Sequence, residues 1–282
     1  MIAVVDYQKG NLKSVERGLI AAGGEALITA DASEIAKADA IVLPGVGAFA
    51  DAAATMCELG QMEAIRDRVR AGVPFLGICL GEHLMFEHGV EGAPEGNPAC
   101  GLGLLPGTVV AMPRCDAQGK AFKVPHVGWN TIEIPACGGG AAVPPCGEGG
   151  GNAVLSSGGA GGGAARSSAA KRGLFEHGAF PNSASQPESE LAFPDSTPQP
   201  GSDLAFACPL FNGIAPGEYF YFTHSFIAPT GSHTIAETTH SVRFTSAVQF
   251  GERAFGVQFH PEKSSDAGAR VLANFVAIAA RG

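Results

Sequence analysis

Short apolar runs alternate with stretches of helical periodicity through the first third of the chain. Four of the runs predict buried strands, at 1–6, 25–29, 39–45 and 73–79. The stretches that follow them predict helices, at about 11–22, 48–58, 61–71 and 80–88. Asn11 is a candidate cap for the first helix. Because strands that alternate with helices form right-handed βαβ units, we expect an α/β fold with a parallel sheet.

The end of the chain is rich in β-branched and aromatic residues, in runs that are separated by turn residues. These runs predict four further strands, at 219–226, 232–240, 246–250 and 254–262. A closing helix is predicted at about 265–280, with a core face formed by Val271, Leu272, Phe275 and Val276.

Between these two parts, from about 137 to 206, the chain is rich in Gly, Ser, Ala and Pro and has little apolar periodicity. Such a composition buries too little surface to offset its ordering entropy, so we predict a mostly disordered insertion. Only 173–180 has a composition suited to transient structure or docking. A linker between two domains is the alternative, but the residues after it make a poor independent domain. We therefore expect one domain, 1–282, interrupted by the insertion.

Charge and cysteine usage exclude several classes of protein. The formal net charge of −9 argues against nucleic acid or an anionic membrane surface as the partner. The first apolar run stops at Asp6, and no later stretch is long enough to span a membrane. The seven cysteines are scattered and include no Cys-x-x-Cys pair, so neither a disulfide framework nor a zinc site is predicted. A cytoplasmic protein fits these features best.

The strongest chemical signal is the segment 77–81, GICLG, between a predicted strand and a predicted helix. It has the spacing of a nucleophile elbow, with Cys79 in place of serine. The flanking glycines permit the tight turn, which places the cysteine at the edge of the sheet where α/β folds bind ligands. The amino terminus of the helix favours the thiolate form. A small buried core cysteine is the alternative interpretation.

A cysteine nucleophile needs a base, and His260-Pro261-Glu262 ends the last predicted strand. Since residues two apart on a strand face the same way, Glu262 can hold one nitrogen of His260 while the other faces the thiol. The alternative is a surface His and Glu at a turn.

The segment 43–47, LPGVG, follows the third predicted strand. Its backbone N–H groups, together with that of Leu80, can face an oxyanion at the same edge of the sheet. Taken alone, Pro-Gly-x-Gly is also a common turn.

Seven motifs carry a family resemblance: DYQKGNLKSV, LPGVGAFADA, PFLGICLG, VPHVGWN, PLFNGI, YFYFTHSF and GVQFHPEKS. In collinear order over about 1–135 and 208–280, they resemble the triad glutamine amidotransferases, and within these the glutaminase subunits of imidazole glycerol phosphate synthase. The resemblance implies a flavodoxin-like three-layer fold, with a mostly parallel central sheet and added antiparallel strands. It also implies a cofactor-free glutaminase of histidine biosynthesis, in a heterodimer with a (βα)₈-barrel cyclase subunit that receives its ammonia.

The resemblance implies a role for each residue that matches a motif. The catalytic residues are the nucleophile Cys79, the base His260 and its orienter Glu262. Pro44 to Gly47 form a strand whose peptide rearrangement completes the oxyanion hole, which is made by Gly45, Val46, Gly47 and Leu80. The residues that bind glutamine are His83, Glu91, Ser225 and Phe226. The residues that face the cyclase are Asn11, Trp129 and Lys263, although Asn11 equally suits a helix cap and Trp129 a core position.

The sequence departs from the family pattern in two places. The family has glutamine four residues after the nucleophile, whereas this chain has His83, preceded by Glu82. The affinity for glutamine, or its pH dependence, is therefore expected to differ from the family's. The second departure is the insertion at about 137–206, which we interpret as a neutral surface loop.

Three other functions stay open at this stage. The chain could be a glutaminase subunit that serves a different synthase, although the motifs PGVG and HVGWN argue against this. It could be a catalytically silent relative that only binds a ligand or partner, which the complete Cys-His-Glu set opposes. It could also be a cysteine hydrolase or chaperone-like protein on the same fold, which would not need His-Pro-Glu in its last strand.

Overall fold

A seven-stranded sheet forms the centre of this computed structural model, which describes residues 1–134 and 208–281. The strands in chain order are β1 (Ile2–Val5), β2 (Ala26–Thr29), β3 (Ala40–Gly45), β4 (Phe75–Cys79), β5 (Phe86–Gly89), β6 (Ala99–Cys100), β7 (Leu105–Ala111), β8 (His126–Thr131), β9 (Tyr219–His224), β10 (Phe226–Ile227), β11 (Thr234–Thr239), β12 (Arg243–Phe250) and β13 (Ala254–Val257). The helices are α1 (Leu12–Ala21), α2 (Ala32–Ile35), α3 (Phe49–Glu58), α4 (Gln61–Arg70), α5 (Leu80–His83) and α6 (Ser265–Ala279).

The central sheet has the strand order β11-β12-β13-β4-β3-β1-β2. The strands from β13 to β2 are parallel to one another. At the other edge, β12 pairs antiparallel with β13, and β11 pairs antiparallel with β12. The predicted α/β fold, with its mostly parallel sheet, is therefore confirmed. A smaller sheet in the order β10-β7-β5-β6 and the antiparallel pair β8–β9 complete the strands.

Helices cover both faces of the central sheet and produce the three layers. Along β1, Ile2 and Val4 belong to one apolar core, while Ala3 and Val5 belong to the other, as the alternation of side chains on a strand requires. The first core also contains the buried faces of α1 and α6, and the second contains those of α2, α3 and α4. The inner strands β1, β3, β4 and β13 are thus buried on both faces, as expected for parallel strands.

The helix predicted at 80–88 is wrong beyond its first turn. Helix α5 ends at His83, and the chain continues into β5 at Phe86. The reason is tertiary: Leu102 donates its N–H to the carbonyl of Leu84, and Leu104 donates to that of Met85. These carbonyls are therefore unavailable to a longer helix, and local helical periodicity is overridden by pairing with a distant segment.

Three boundaries also differ from the predictions. Helix α1 ends at Ala21, and the side chain of Asn11 makes no capping hydrogen bond. Strand β13 ends at Val257, because the chain turns into a 3₁₀ helix over Pro261–Lys263. The run predicted at 219–226 is divided at Ser225 into β9 and β10, which pair with different strands.

The residues on either side of the predicted insertion are bonded to or packed against the described domain. The N–H of Glu133 donates to the carbonyl of Glu237, and Leu210 and Phe211 are fully buried. The insertion itself, with the segment 173–180, lies outside the described residues. Among the helices of 1–134 and 208–281, none is long and apolar enough to cross a membrane.

Candidate active site

Cys79 lies at a sharp turn between β4 and α5. Its φ of 54° and ψ of −106° form a conformation that residues other than glycine rarely adopt. The turn requires glycine on both sides of it. A Cβ on Gly77 would lie 2.8 Å from the nitrogen of Glu82, and a Cβ on Gly81 would collide with the carbonyl of Leu43. The structure therefore has the predicted elbow, although α5 is a single turn whose dipole is weaker than that of a long helix.

His260 and Glu262 form a buried hydrogen-bonded pair. Nδ1 of His260 lies 2.9 Å from Oε1 of Glu262, and the two side chains are 3% and 2% exposed. The predicted alternation along a strand is not the cause, because β13 ends at Val257. Instead, the 3₁₀ turn Pro261–Lys263 brings the carboxylate back to the imidazole.

The second nitrogen of His260 is left free for the nucleophile. Nε2 is buried and has no hydrogen-bond partner among the described residues. Burial acts to lower the pKa of His260, but the side chains of Cys79 and then Glu262 outweigh it and raise the pKa to about 9. Cys79 is therefore near enough to influence the imidazole, even though the pair does not meet hydrogen-bond geometry. Such pairs often tighten only when substrate binds.

The segment 44–47 lies directly beside the nucleophile. In the parallel register of β3 with β4, Gly45 is the partner of Cys79. A Cβ on Gly45 would lie 2.9 Å from Cβ of Leu80 and would collide with the hydroxyl of Tyr7. Only glycine allows the end of β3 to approach the elbow this closely.

A pocket of about 390 Å³ opens at this edge of the sheet. Its lining includes the predicted nucleophile, oxyanion residues and glutamine-binding residues: Cys79, Val46, Gly47, Leu80, His83, Glu91, Ser225 and Phe226. His260, Glu262 and Gly45 do not line it. Burial raises the pKa of Glu91, against the opposing effect of a hydrogen bond from the N–H of Phe49. The four predicted glutamine-binding residues thus line the same pocket as the nucleophile.

His83 has a protein partner in addition to its place in the pocket wall. Its Nε2 lies 2.7 Å from Oε1 of Gln258 and 3.6 Å from Oε2 of Glu82. Burial lowers the pKa of His83 to about 4, although the hydrogen bond with Gln258 opposes this, so the imidazole is neutral at pH 7. Burial also raises the pKa of Glu82 well above its usual range. A contact between His83 and glutamine stays a prediction.

Of the predicted partner-facing residues, Trp129 and Lys263 share an aromatic surface. Trp129 is 51% exposed, and its ring lies 6.1 Å from that of Tyr221 in an edge-to-face arrangement. Nζ of Lys263 lies 5.8 Å from the centre of the same tyrosine ring. The alternative that Trp129 fills the core is therefore wrong. Asn11 is exposed at the start of α1 and does not cap it with its side chain.

Three residues near the nucleophile are absent from the sequence-based predictions. The carbonyl of Thr223 lies 3.9 Å from Sγ of Cys79, and Nε2 of Gln258 lies 3.7 Å from it. Tyr7 is fully buried beside Gly45, and its hydroxyl has no hydrogen-bond partner in the described ranges. Gln258 stands two residues before His260 in GVQFHPE, so a buried polar residue next to the base was the available signal.

A larger cavity, of about 550 Å³, lies at the opposite edge of the sheet beside Met1, Asp39 and Pro74. None of the predicted site residues lines it. Within 1–134 and 208–281, no group of three His, Cys, Asp or Glu side chains is arranged to hold a metal ion.

The sequence and the fold match known proteins. A family model described as "Glutamine amidotransferase class-I" matches residues 3–133 and 195–279. A solved structure described as a crystal structure of glutamine amidotransferase shares the fold with a TM-score of 0.56, at 15% identity, over 99% of this chain and 98% of that one. The chain belongs to the class-I glutamine amidotransferase family.

Two relatives with known names indicate which type of class-I glutamine amidotransferase the chain is. The imidazole glycerol phosphate synthase subunit HisH of Moorella thermoacetica is 34% identical, over 97% of this chain and 93% of its own length. The subunit of the same name from Rhodopirellula baltica is also 34% identical, over 98% of this chain and 96% of its own length. Within its family, the chain is therefore a glutamine amidotransferase of the HisH type.

Proposed function

We propose that this chain is the glutaminase subunit of imidazole glycerol phosphate synthase, which acts in histidine biosynthesis in the cytoplasm. The observation that carries the proposal is the buried His260–Glu262 pair, 2.9 Å apart, with the free nitrogen of the imidazole beside Cys79. The shared name of the relatives supports the choice of synthase. The relatives are each named as a subunit of that synthase, which supports a second chain as the site of the synthase reaction.

Glutamine is hydrolysed through a thioester on Cys79. The thiol proton lies on Nε2 of His260, whose pKa is raised to about 9, and the sulfur attacks the side-chain carboxamide carbon of glutamine as a thiolate. The imidazolium then passes the proton to the departing nitrogen. Ammonia leaves as the C–N bond breaks. A water molecule, deprotonated by the same imidazole, then attacks the thioester and releases glutamate and the thiol. Glu262 fixes the ring and stabilises its protonated form, in agreement with the raised pKa of His260.

The oxyanion of each tetrahedral intermediate is bound at the end of β3. The N–H of Leu80 is one donor, and the N–H of Val46 becomes the second when its peptide rotates. Gly45 and Gly47 flank that peptide, and Gly47 already has a φ of 99°, so neither neighbour hinders the rotation. Binding of the cyclase or its ligand favours the rotated form.

The other pocket residues hold the substrate. Glu91 is half-buried in the wall and is suited to the α-ammonium group of glutamine. Ser225 and Phe226 lie along the substrate's chain, and His83 completes the wall near the nucleophile. A half-buried carboxylate binds an ammonium group more strongly than an exposed one, because less water competes for the two charges.

The cyclase partner is a (βα)₈ barrel that forms a heterodimer with this chain. The surface around Trp129 and Lys263 is the docking face, and Asn11 is the third predicted interface residue. An exposed indole supported by Tyr221 is the kind of rigid aromatic anchor that contributes most to binding energy at interfaces. Ammonia is thus delivered to the second protein rather than to solvent.

The proposal is tested by glutamine hydrolysis with and without the cyclase subunit and its ribonucleotide ligand. We expect weak hydrolysis by the chain alone and strong stimulation in the ligand-bound complex. Cys79→Ala should reduce stimulated hydrolysis by about a thousandfold or more, because the thioester cannot form.

The matched control is Cys57→Ser, since Cys57 is an exposed cysteine on α3, outside the pocket lining. This variant should keep both the basal and the stimulated rate. Stimulated hydrolysis that survives in Cys79→Ala would show that another residue is the nucleophile.

A further inference from the structure

A continuous line of polar side chains runs from the nucleophile into the core behind it. Gln258 is completely buried and bridges two residues: its Nε2 lies 3.7 Å from Sγ of Cys79, and its Oε1 lies 2.7 Å from Nε2 of His83. The backbone N–H of Gln258 donates to the carbonyl of Ser246 at 3.0 Å, which fixes the position of the residue. The roles proposed for His260 and for the residues that line the pocket give no reason for a buried amide at position 258.

The neighbours of His83 determine which nitrogen carries its hydrogen. Nε2 faces two oxygens, Oε1 of Gln258 and, at 3.6 Å, Oε2 of Glu82. The amide oxygen Oε1 of Gln258 can only accept, so Nε2 of the neutral imidazole carries the hydrogen and His83 donates to Gln258. This bond fixes the amide with its oxygen toward the imidazole and its NH₂ group toward the sulfur.

We propose that Gln258 is a catalytic residue that donates a hydrogen bond to the Cys79 thiolate, and that His83 is a positioning residue that holds the amide in this orientation. The inference rests on the proposed function, in which Cys79 is the nucleophile. It also gives His83, which stands where the family has glutamine, a physical role: its imidazole N–H donates to the amide oxygen of Gln258.

The carbonyl of Thr223 and the side-chain amide of Gln258 suit different protonation states of the Cys79 sulfur. The carbonyl of Thr223, 3.9 Å away, can only accept, and it therefore suits the thiol. The amide of Gln258 donates, and it therefore suits the thiolate. A donor to the charged form stabilises that form and leaves more thiolate available at neutral pH.

Four other ionisable groups lie near Cys79 or His83, and none of them is changed in the variants described below. One of these groups is His260, the base, and another is Tyr7, which lies beside Gly45 at the end of β3. Glu82 faces His83, and burial raises the pKa of its carboxyl. His224 also lines the pocket, and burial keeps its pKa well below the usual value.

The test measures the pH dependence of Cys79 alkylation by iodoacetamide in the full chain, followed by mass spectrometry of the peptide that contains Cys79. Gln258→Leu should move the midpoint of the alkylation rate upward by about one pH unit, the effect of losing one hydrogen bond to a charged group. The kcat of glutamine hydrolysis should fall about tenfold, while KM stays within about twofold.

Two substitutions at His83 separate positioning from substrate binding. His83→Leu removes the donor and should shift the alkylation midpoint in the same direction as Gln258→Leu. His83→Gln supplies an NH₂ group in place of the imidazole N–H and should restore the midpoint. Ser246→Ala is the matched control, because its buried hydroxyl has no partner in the described structure and its backbone contact with Gln258 is unchanged. It should leave the midpoint where it is.

An unchanged midpoint in Gln258→Leu would overturn the role of Gln258 as donor. A higher KM with an unchanged midpoint in His83→Leu would overturn positioning and make His83 a substrate contact. Alkylation does not require glutamine, so these outcomes are distinct from a failure of the proposed glutaminase activity. Thermal unfolding of each variant shows whether the fold is intact.

Discussion

His260 is the residue at which burial and charge act on the same pKa in opposite directions. Burial lowers it, while Cys79 and Glu262 raise it to about 9. In an unfolded chain the pKa of histidine is near 6.5. Between these two values the folded protein binds more protons than the unfolded one, so the free energy of unfolding falls as the pH rises.

We therefore predict that His260 contributes up to about 3 kcal/mol of stability below pH 6.5, which is lost as the pH rises through about 9. Glu262→Gln removes one of the two groups that raise the pKa, so the loss should be smaller and complete at a lower pH. Urea unfolding of both proteins between pH 6 and pH 10 measures the difference. Parallel curves for the two proteins would contradict the coupling.

Sequence motifs predict the chemical residues of the site but not the contacts between them. Cys79, His260 and Glu262 follow from spacing, because the elbow and the His-Pro-Glu segment are each local. Gln258 and His83 are 175 positions apart along the chain, and they meet only because β13 pairs with β4. No local pattern encodes that contact.

Among the elements, the long periodic ones are predicted best. Helices α3, α4 and α6 agree with the predicted ranges within one or two residues, since each has an apolar face that repeats over several turns. The segment after Cys79 is predicted wrongly, because its carbonyls pair with residues that come later in the chain. Strand β7 is missed because Pro106 and Gly107 interrupt its apolar pattern.

The pair β8–β9 has two different faces. Trp129 and its cross-strand neighbour Tyr221 lie on the accessible side, whereas His126 and Phe222 are buried on the other. The buried side is tightly bonded: Nδ1 of His126 lies 3.0 Å from Nε2 of His224, which lines the pocket. The proposed docking strand is therefore in direct contact with the active-site wall.

Trp129→Ala should weaken binding of the cyclase by about tenfold or more, because an exposed aromatic anchor is lost. Its unfolding midpoint should change little, since half of the indole is already in water. Leu27→Ala is the control, as Leu27 is 43% exposed on the strand at the far edge of the sheet. Titration of each variant with the cyclase gives the affinities. Equal affinities for the two variants would place the interface elsewhere.

At the scale of the molecule, both ends that flank the insertion are bonded to the core independently of it. Glu133 pairs with Glu237 on one side, and Asn274 donates to the carbonyls of Leu210 and Asn212 on the other. We predict that replacing 140–205 by a short Gly/Ser linker leaves complex formation and turnover intact. Size-exclusion chromatography with the cyclase and the stimulated glutaminase rate measure both. Loss of either would show that the insertion is not neutral.

The strand order has a consequence for how the chain can be divided. Residues 1–134 supply the nucleophile on β4 and the oxyanion strand on β3, while 208–281 supply β13, which leads to the base and lies next to β4. Each part buries an apolar surface that only the other can cover, and each holds an incomplete triad. The protein is thus a natural candidate for fragment complementation: two separate polypeptides would become an enzyme only on assembly, and glutamine turnover would report their meeting.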